Sequence, residues 1–193
     1  MRPLTSLLDA GRSLRTIGFD DAPFQRTQPH VDLAGIVTQG TRFEGMLWGQ
    51  ATPDGTDATD VVAGMLTASK FHDQVHAVLL DGLAVGGFNF IDLPALADAT
   101  GRPCIAVLRK PPDFAAITRA LRRLPHTEAR LACIERAGVV HGAGPCFQVA
   151  GIEAEVAARV LRQATDRGHV PECLRLAHLI GGAVKRGQSG QRA

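Results

Sequence analysis

The sequence predicts an α/β fold: a mixed sheet that opens as an antiparallel meander, continues with parallel strands, and is flanked by helices. Three observations point there. The stretch before residue 50 holds short segments of strand character joined by turn residues and shows no helical period. Beyond residue 57, helical periods alternate with short, largely apolar runs. The chain then closes on two amphipathic helices, an order that builds a sheet with helices packed on it. A length of 193 residues with 45% hydrophobic content suits one domain, 1–193, that buries a real core, and excludes disorder.

The first strand is read at 14–20, the second at 32–38 and the third at 42–49, with Gln39-Gly40 as the turn between the last two. Asp57-Ala58-Thr59 starts a helix that runs to about Phe71, and the apolar run 75–80 follows as a buried strand. A short helix covers 93–100. Arg102-Pro103 leads into the buried strand 104–108. Helical periods return at 112–123 and 127–137, a strand lies near 145–149, and helices at 152–167 and 171–186 carry apolar residues at i, i+3 and i+4.

Composition narrows the function classes. A net charge of +2 is too small for a generally basic nucleic-acid coat. Of the 21 cationic residues only Lys70, Lys110 and Lys185 are lysines, so the positive charge is mostly guanidinium, whose planar fork suits phosphate; a GC-rich genome produces the same bias. The four cysteines (Cys104, Cys133, Cys146, Cys173) form no C-x-x-C pair and are expected as free thiols in a reduced compartment. No apolar run reaches the roughly 18–20 residues of a membrane span, and Met1-Arg2-Pro3-Leu4 lacks the order of a signal peptide. A cytoplasmic location with no membrane contact is the expectation, and no protein partner is predicted.

The aspartates carry the chemistry. The first strand runs into Asp20-Asp21 and the strand 75–80 runs into Asp81-Gly82, while Asp54-Gly55-Thr56-Asp57-Ala58-Thr59-Asp60 opens a helix between them. Packing gives no reason for a carboxylate at the end of an apolar strand, whereas open α/β sheets place their sites at that edge. Neighbouring first and fourth strands would bring Asp20 and Asp81 together, and a hard divalent cation would relieve their repulsion. Oxygen ligands favour magnesium, with manganese the alternative, over zinc. Asp57 and Asp60 read equally as helix-capping residues, and Asp54-Gly55 as a turn.

Several stretches resemble the motifs of the endonuclease dU family. They are Ile17-Gly18-Phe19-Asp20-Asp21-Ala22-Pro23-Phe24, Asp54-Gly55-Thr56-Asp57-Ala58-Thr59 and Gly86-Gly87-Phe88-Asn89-Phe90-Ile91-Asp92, followed by 102–113, 171–178 and Gly187-Gln188-Ser189-Gly190. Gly18-Phe19-Asp20, Asp81-Gly82, 103–109 and 171–177 are also similar to endonuclease V. The resemblance implies a ribonuclease H-like fold and a metal site with Asp20 and Asp81 as ligands. Endonuclease V takes its third carboxylate, a glutamate, from the helix before the central strand. This chain offers Asp57 or Asp60 there, and Asp57 is preferred as part of the matching motif. Endonuclease V also inserts a tyrosine-containing wedge into the duplex, whereas this chain has no tyrosine. Phe24 and Phe88 are the aromatic residues that could stack on a base, with the core the favoured place for Phe88.

The expected activity is magnesium-dependent hydrolysis of a phosphodiester bond, with Asp20, Asp81 and Asp57 at the metal and Arg109 or Lys110 steadying the phosphate. The resemblance implies DNA with a deaminated base as partner, deoxyuridine ahead of deoxyinosine, with RNA a further candidate. Phe24, Gly86, Gly87, Arg109 and Lys110 are the expected nucleic-acid contacts. Arg175 and His178 read as structural. The rival readings are a nucleic-acid-binding protein of the same fold without turnover and a nucleotide phosphohydrolase, the latter without a P-loop to cradle phosphate.

Overall fold

The computed structural model of the protein describes residues 3–142 and 145–190. A short helix α1 (Leu4–Asp9) precedes three strands that pair as an antiparallel meander, β1 (Arg15–Asp21), β2 (Val31–Gln39) and β3 (Arg42–Ala51). Gly40 takes φ +60 at the tight β2–β3 turn, a conformation open to glycine at little steric cost. Helix α2 (Ala58–Thr67) crosses to β4 (Ala77–Asp81), which pairs parallel to β1, so the first and fourth strands are neighbours. A small hairpin of β5 (Ala84–Val85) and β6 (Asn89–Phe90) follows, then α3 (Leu93–Thr100) and β7 (Cys104–Leu108), parallel to β4. Helices α4 (Phe114–Leu121) and α5 (Thr127–Arg136) lead to β8 (Cys146–Ala150), antiparallel to β7, and α6 (Ala154–Ala164) and α7 (Glu172–Arg186) close the chain. The sheet order is β3-β2-β1-β4-β7-β8. This is the ribonuclease H-like mixed sheet that the sequence predicts.

Alternation along each strand divides the core in two. Ile17, Phe19, Leu33, Val37, Val78, Leu80, Cys104 and Ala106 face α2 and α3. Ala34, Ile36, Ala77, Leu79, Ile105, Val107 and Phe147 face α6 and α7. Strands β1, β2, β4 and β7 are therefore buried on both sides, which explains the apolar runs at 77–80 and 104–108. Two elements go beyond the sequence expectation: α1, six residues with no side-chain cap, and the β5–β6 hairpin, whose two-residue strands are too short to show a period. The helix expected over 57–71 stops at Thr67, where Ser69 Oγ donates to the Leu66 carbonyl and the chain turns away.

One close approach fixes the part of the fold that matters most. A Cβ on Gly18 would lie 2.8 Å from Cys173 Sγ and 2.9 Å from the Cys173 carbonyl carbon, so α7 rests directly on the β1 backbone. A methyl group there must push the helix away. Gly18→Ala is expected to cost about 1–3 kcal/mol through overpacking, read as a Tm several degrees lower in a thermal melt.

Candidate metal centre

Strand alternation sends Asp20 and Asp21 to opposite faces of the sheet. Asp20 is 5% exposed and points toward α7, where His178 Nδ1 stands 3.0 Å from its Oδ2. Asp81, at the end of β4, lies beside it. One ligand atom each from Asp20, Asp81 and His178 falls within 4.8 Å of the others. Burial, the charge of Asp81 and the charge of Asp21 together push the Asp20 carboxyl up to about 8. Asp21 faces the other side and accepts the Gly86 backbone N–H at 2.8 Å. Its carboxyl is also raised, chiefly by burial. Its own backbone N–H donates to Asp20 Oδ1 at 2.9 Å. The three groups open into a cleft of about 430 Å³ lined by Asp20, Asp21, Phe24, Asp81, Arg109 and Arg186, among others.

The sequence-predicted residues sort by position. Asp20 and Asp81 meet at the cleft. Arg109, just past β7, donates to Asp81 Oδ2 at 3.1 Å and lines the cleft. Lys110 follows it, exposed, and is outside the cleft lining. Phe24 lines the cleft while its ring packs partly on the core. Phe88 is half-buried and outside the two core clusters, and Arg26 lies 5.2 Å from its ring centroid. Gly86 and Gly87 form the β5–β6 turn with positive φ, and a Cβ on Gly87 would come 2.5 Å from Asp54 Oδ1. The close approaches that these glycines permit are to the protein's own groups, the Val31 side chain of β2 for Gly86 and the Asp54 loop for Gly87.

Asp57 lies outside the group of three. Its carboxylate accepts from Thr52 Oγ1 at 2.8 Å and Asn89 Nδ2 at 2.5 Å, and it does not cap α2. Burial alone would raise its pKa, but the Asn89 and Thr52 hydrogen bonds outweigh burial and hold the carboxyl below its usual range. Asp60 lines a different groove, with Thr59, Asp92 and Arg136. The third group at the cleft is instead His178, which the sequence reads as structural. Arg175 forms an ion pair with Glu172 one turn earlier on α7, so it serves that helix. The sequence also gives no sign of Arg130, 2% exposed on α5. Its guanidinium donates to the carbonyls of Phe88 (3.0 Å) and Gly55 (3.2 Å), and also to those of Pro125 and Asp54. Together with Asp54, which accepts the Phe88 N–H at 2.8 Å, it ties the hairpin to the loop before α2.

All four cysteines are free, and three of them are buried. No helix among the described residues is long and apolar enough to cross a membrane.

Residues 12–185 match the family model of endonuclease dU. The chain belongs to the endonuclease dU family. It is 42% identical over 183 residues to a UPF0215 protein of Methanothermobacter thermautotrophicus, covering 91% of this chain and 90% of that one. A crystal structure of a protein of unknown function from Archaeoglobus fulgidus, 33% identical, superposes with a TM-score of 0.84 over 89% of this chain and 98% of that one. Endonuclease V of Ciona intestinalis, in complex with DNA containing an inosine followed by a ribo-adenosine, is 12% identical with a TM-score of 0.57, covering 86% of this chain and 84% of that one. At that identity the likeness shows a shared fold. The family membership rests on the match over residues 12–185 and on the archaeal relatives.

Proposed function

We propose that this endonuclease dU family member is a divalent-metal-dependent endonuclease that hydrolyses a phosphodiester bond in DNA at or near a deaminated base, deoxyuridine ahead of deoxyinosine. One observation carries the reading: two strand-end carboxylates and an imidazole converge in a cleft that two arginines also line. Two carboxylates this close, one of them buried, leave Asp20 hard to ionise without a cation. The donor set fits a hard divalent ion. Carboxylate oxygens suit magnesium and manganese alike, and the imidazole nitrogen of His178 tilts the choice toward manganese relative to an all-oxygen set.

Asp20 and Asp81 would hold the ion, with His178 completing the set. Bound there, such an ion lowers the pKa of a coordinated water and neutralises charge on the phosphate. The protein's own groups do the rest. His178 Nδ1, hydrogen-bonded to Asp20 Oδ2 at 3.0 Å, fixes the rotation of that carboxylate. Arg109 uses one of its terminal nitrogens on Asp81, which leaves further N–H donors for a phosphate oxygen. Phe24 offers a flat apolar wall to a sugar or base. Asp57 would act by bracing the β6 strand through Asn89, which also donates to the Thr52 carbonyl. Asp57→Ala is therefore expected to lower Tm by a few degrees through loss of about 1–3 kcal/mol of hydrogen bonding. The thermal shift produced by Mn²⁺ should persist in that variant.

Labelled oligonucleotides carrying one uracil, one inosine or no lesion, incubated with the protein and Mg²⁺ or Mn²⁺, test the activity. Cutting of one lesion-bearing strand that stops with EDTA is the expected result. Binding of all three strands without any product would replace the enzyme by a binding protein of the same fold.

A further inference from the structure

Edge strand β3 carries the largest exposed apolar side chains of the sheet: Phe43 is 49% exposed, Met46 40% and Trp48 38%. Their cross-strand partners show which way they point. Trp48 pairs with Ala34, which pairs with Asp20; Met46 pairs with Ile36, which pairs with Gly18; Phe43 pairs with Thr38, which pairs with Thr16. Side chains in register share a face, and Ala34 and Ile36 pack in the cluster that holds Cys173, Leu174 and Ala177 of α7. The three therefore form a ledge on the α7 face, beyond the helix. The ledge runs from the row of Asp20 back along β3. Two strand spacings of about 4.8 Å place the Trp48 backbone roughly 10 Å from that of Asp20.

Charged groups lie between ledge and cleft. Lys185, near the end of α7, pairs with Asp32, whose carboxylate Gln50 of β3 also bonds at 2.8 Å. Arg186 lines the metal cleft itself. At the far end of the ledge stands Arg42, paired with Glu44 at 2.7 Å and with a side chain 75% exposed. An aromatic and apolar ledge beside a cleft lined by Arg186 is the arrangement by which proteins hold single-stranded nucleic acid, with bases on the rings and phosphates on the charges.

We propose that Trp48, flanked by Met46 and Phe43, is a stacking platform for unpaired bases of the strand that enters the metal cleft, and that Arg186 guides the phosphates between them. The proposal rests on the nuclease reading of that cleft. A second copy of the chain is the less suitable occupant. Three side chains that are 38–49% exposed provide much less area than the roughly 800 Å² per partner of a stable interface.

The chain has one tryptophan, so its fluorescence reports on the ledge directly. Metal-free protein in EDTA is titrated with short oligo(dT) and with a fully paired duplex, while binding is read separately by anisotropy of a labelled strand. Quenching of Trp48 by oligo(dT), stronger than by duplex, is expected. Trp48→Ala should weaken oligo(dT) binding and raise KM for a lesion-bearing strand by about tenfold. Trp48→Phe should restore most of both. Strand binding that leaves the fluorescence unchanged and is unaffected by Trp48→Ala overturns the platform while the nuclease stands. Protein that neither binds nor cuts any strand removes the underlying reading and the platform with it. Fluorescence that changes only with protein concentration, together with self-association lost in Trp48→Ala, overturns the proposal in favour of a second copy.

Discussion

Asp81→Asn is expected to abolish metal-dependent cleavage while the protein stays folded. The substitution keeps the shape of the side chain and its contact with Arg109, and it removes the charge that would hold a cation between β1 and β4. Loss of a group that only orients a metal ligand costs about 10–100-fold, so loss of the ligand itself should exceed roughly 100-fold in kcat/KM. Asp20→Asn should match it in activity yet differ in stability. The wild-type Asp20 carboxyl is pushed up to about 8 by burial and by the charges of Asp81 and Asp21, so a neutral amide relieves repulsion in the metal-free protein. Its melting temperature above neutral pH should be no lower than that of the wild type. A clear fall in the thermal melt would mean that the Asp20–His178 hydrogen bond outweighs the relieved repulsion.

The second large effect couples metal and pH. The folded-state pKa of Asp20, about 8, lies above its ordinary 3.8. Without metal, the associated stability is fully present below about pH 4 and is lost as pH rises through about 8. A bound cation reverses that loss, because it favours the ionised carboxylate. The Tm gain on adding Mn²⁺ should therefore be larger at pH 8.5 than at pH 5.5. At a concentration 100 times the Kd, binding contributes about 2.7 kcal/mol, a shift of roughly 5–11 °C for a chain of this size. Below pH 8 a proton competes for the site, and apparent affinity should fall by about tenfold per pH unit. Thermal melts across that range, with and without Mn²⁺, check the sign: a metal-induced shift that is constant with pH would place the cation away from Asp20.

What the sequence shows of the site follows from how local each signal is. Asp20 and Asp81 stand out because an apolar run that ends in a carboxylate is visible in a few residues, and the parallel pairing of β1 with β4 does the rest. His178 has no such signature, since its meeting with Asp20 depends on α7 lying flat on β1, which depends in turn on Gly18. A clue does exist in the helical period. Leu174, Ala177 and Gly181 mark the buried stripe of α7, and His178 sits on the edge of that stripe, where a polar side chain needs a partner. Asp57 shows the reverse case. Its motif is conspicuous, but Thr52 and Asn89 take its oxygens, and Asn89 comes from a hairpin whose two-residue strands leave no periodic trace. Arg130 is invisible for a related reason: its partners are backbone carbonyls from separate loops, and carbonyls carry no sequence identity.

Mn²⁺ binding followed by electron paramagnetic resonance, with wild-type, Asp20→Asn, Asp81→Asn and Asp57→Ala proteins side by side, tests the metal centre most directly. The predicted result is saturable binding in the wild type and in Asp57→Ala, with loss in both strand-end variants. Undiminished binding in Asp20→Asn and Asp81→Asn, or loss in Asp57→Ala alone, would contradict a metal centre built on Asp20, Asp81 and His178.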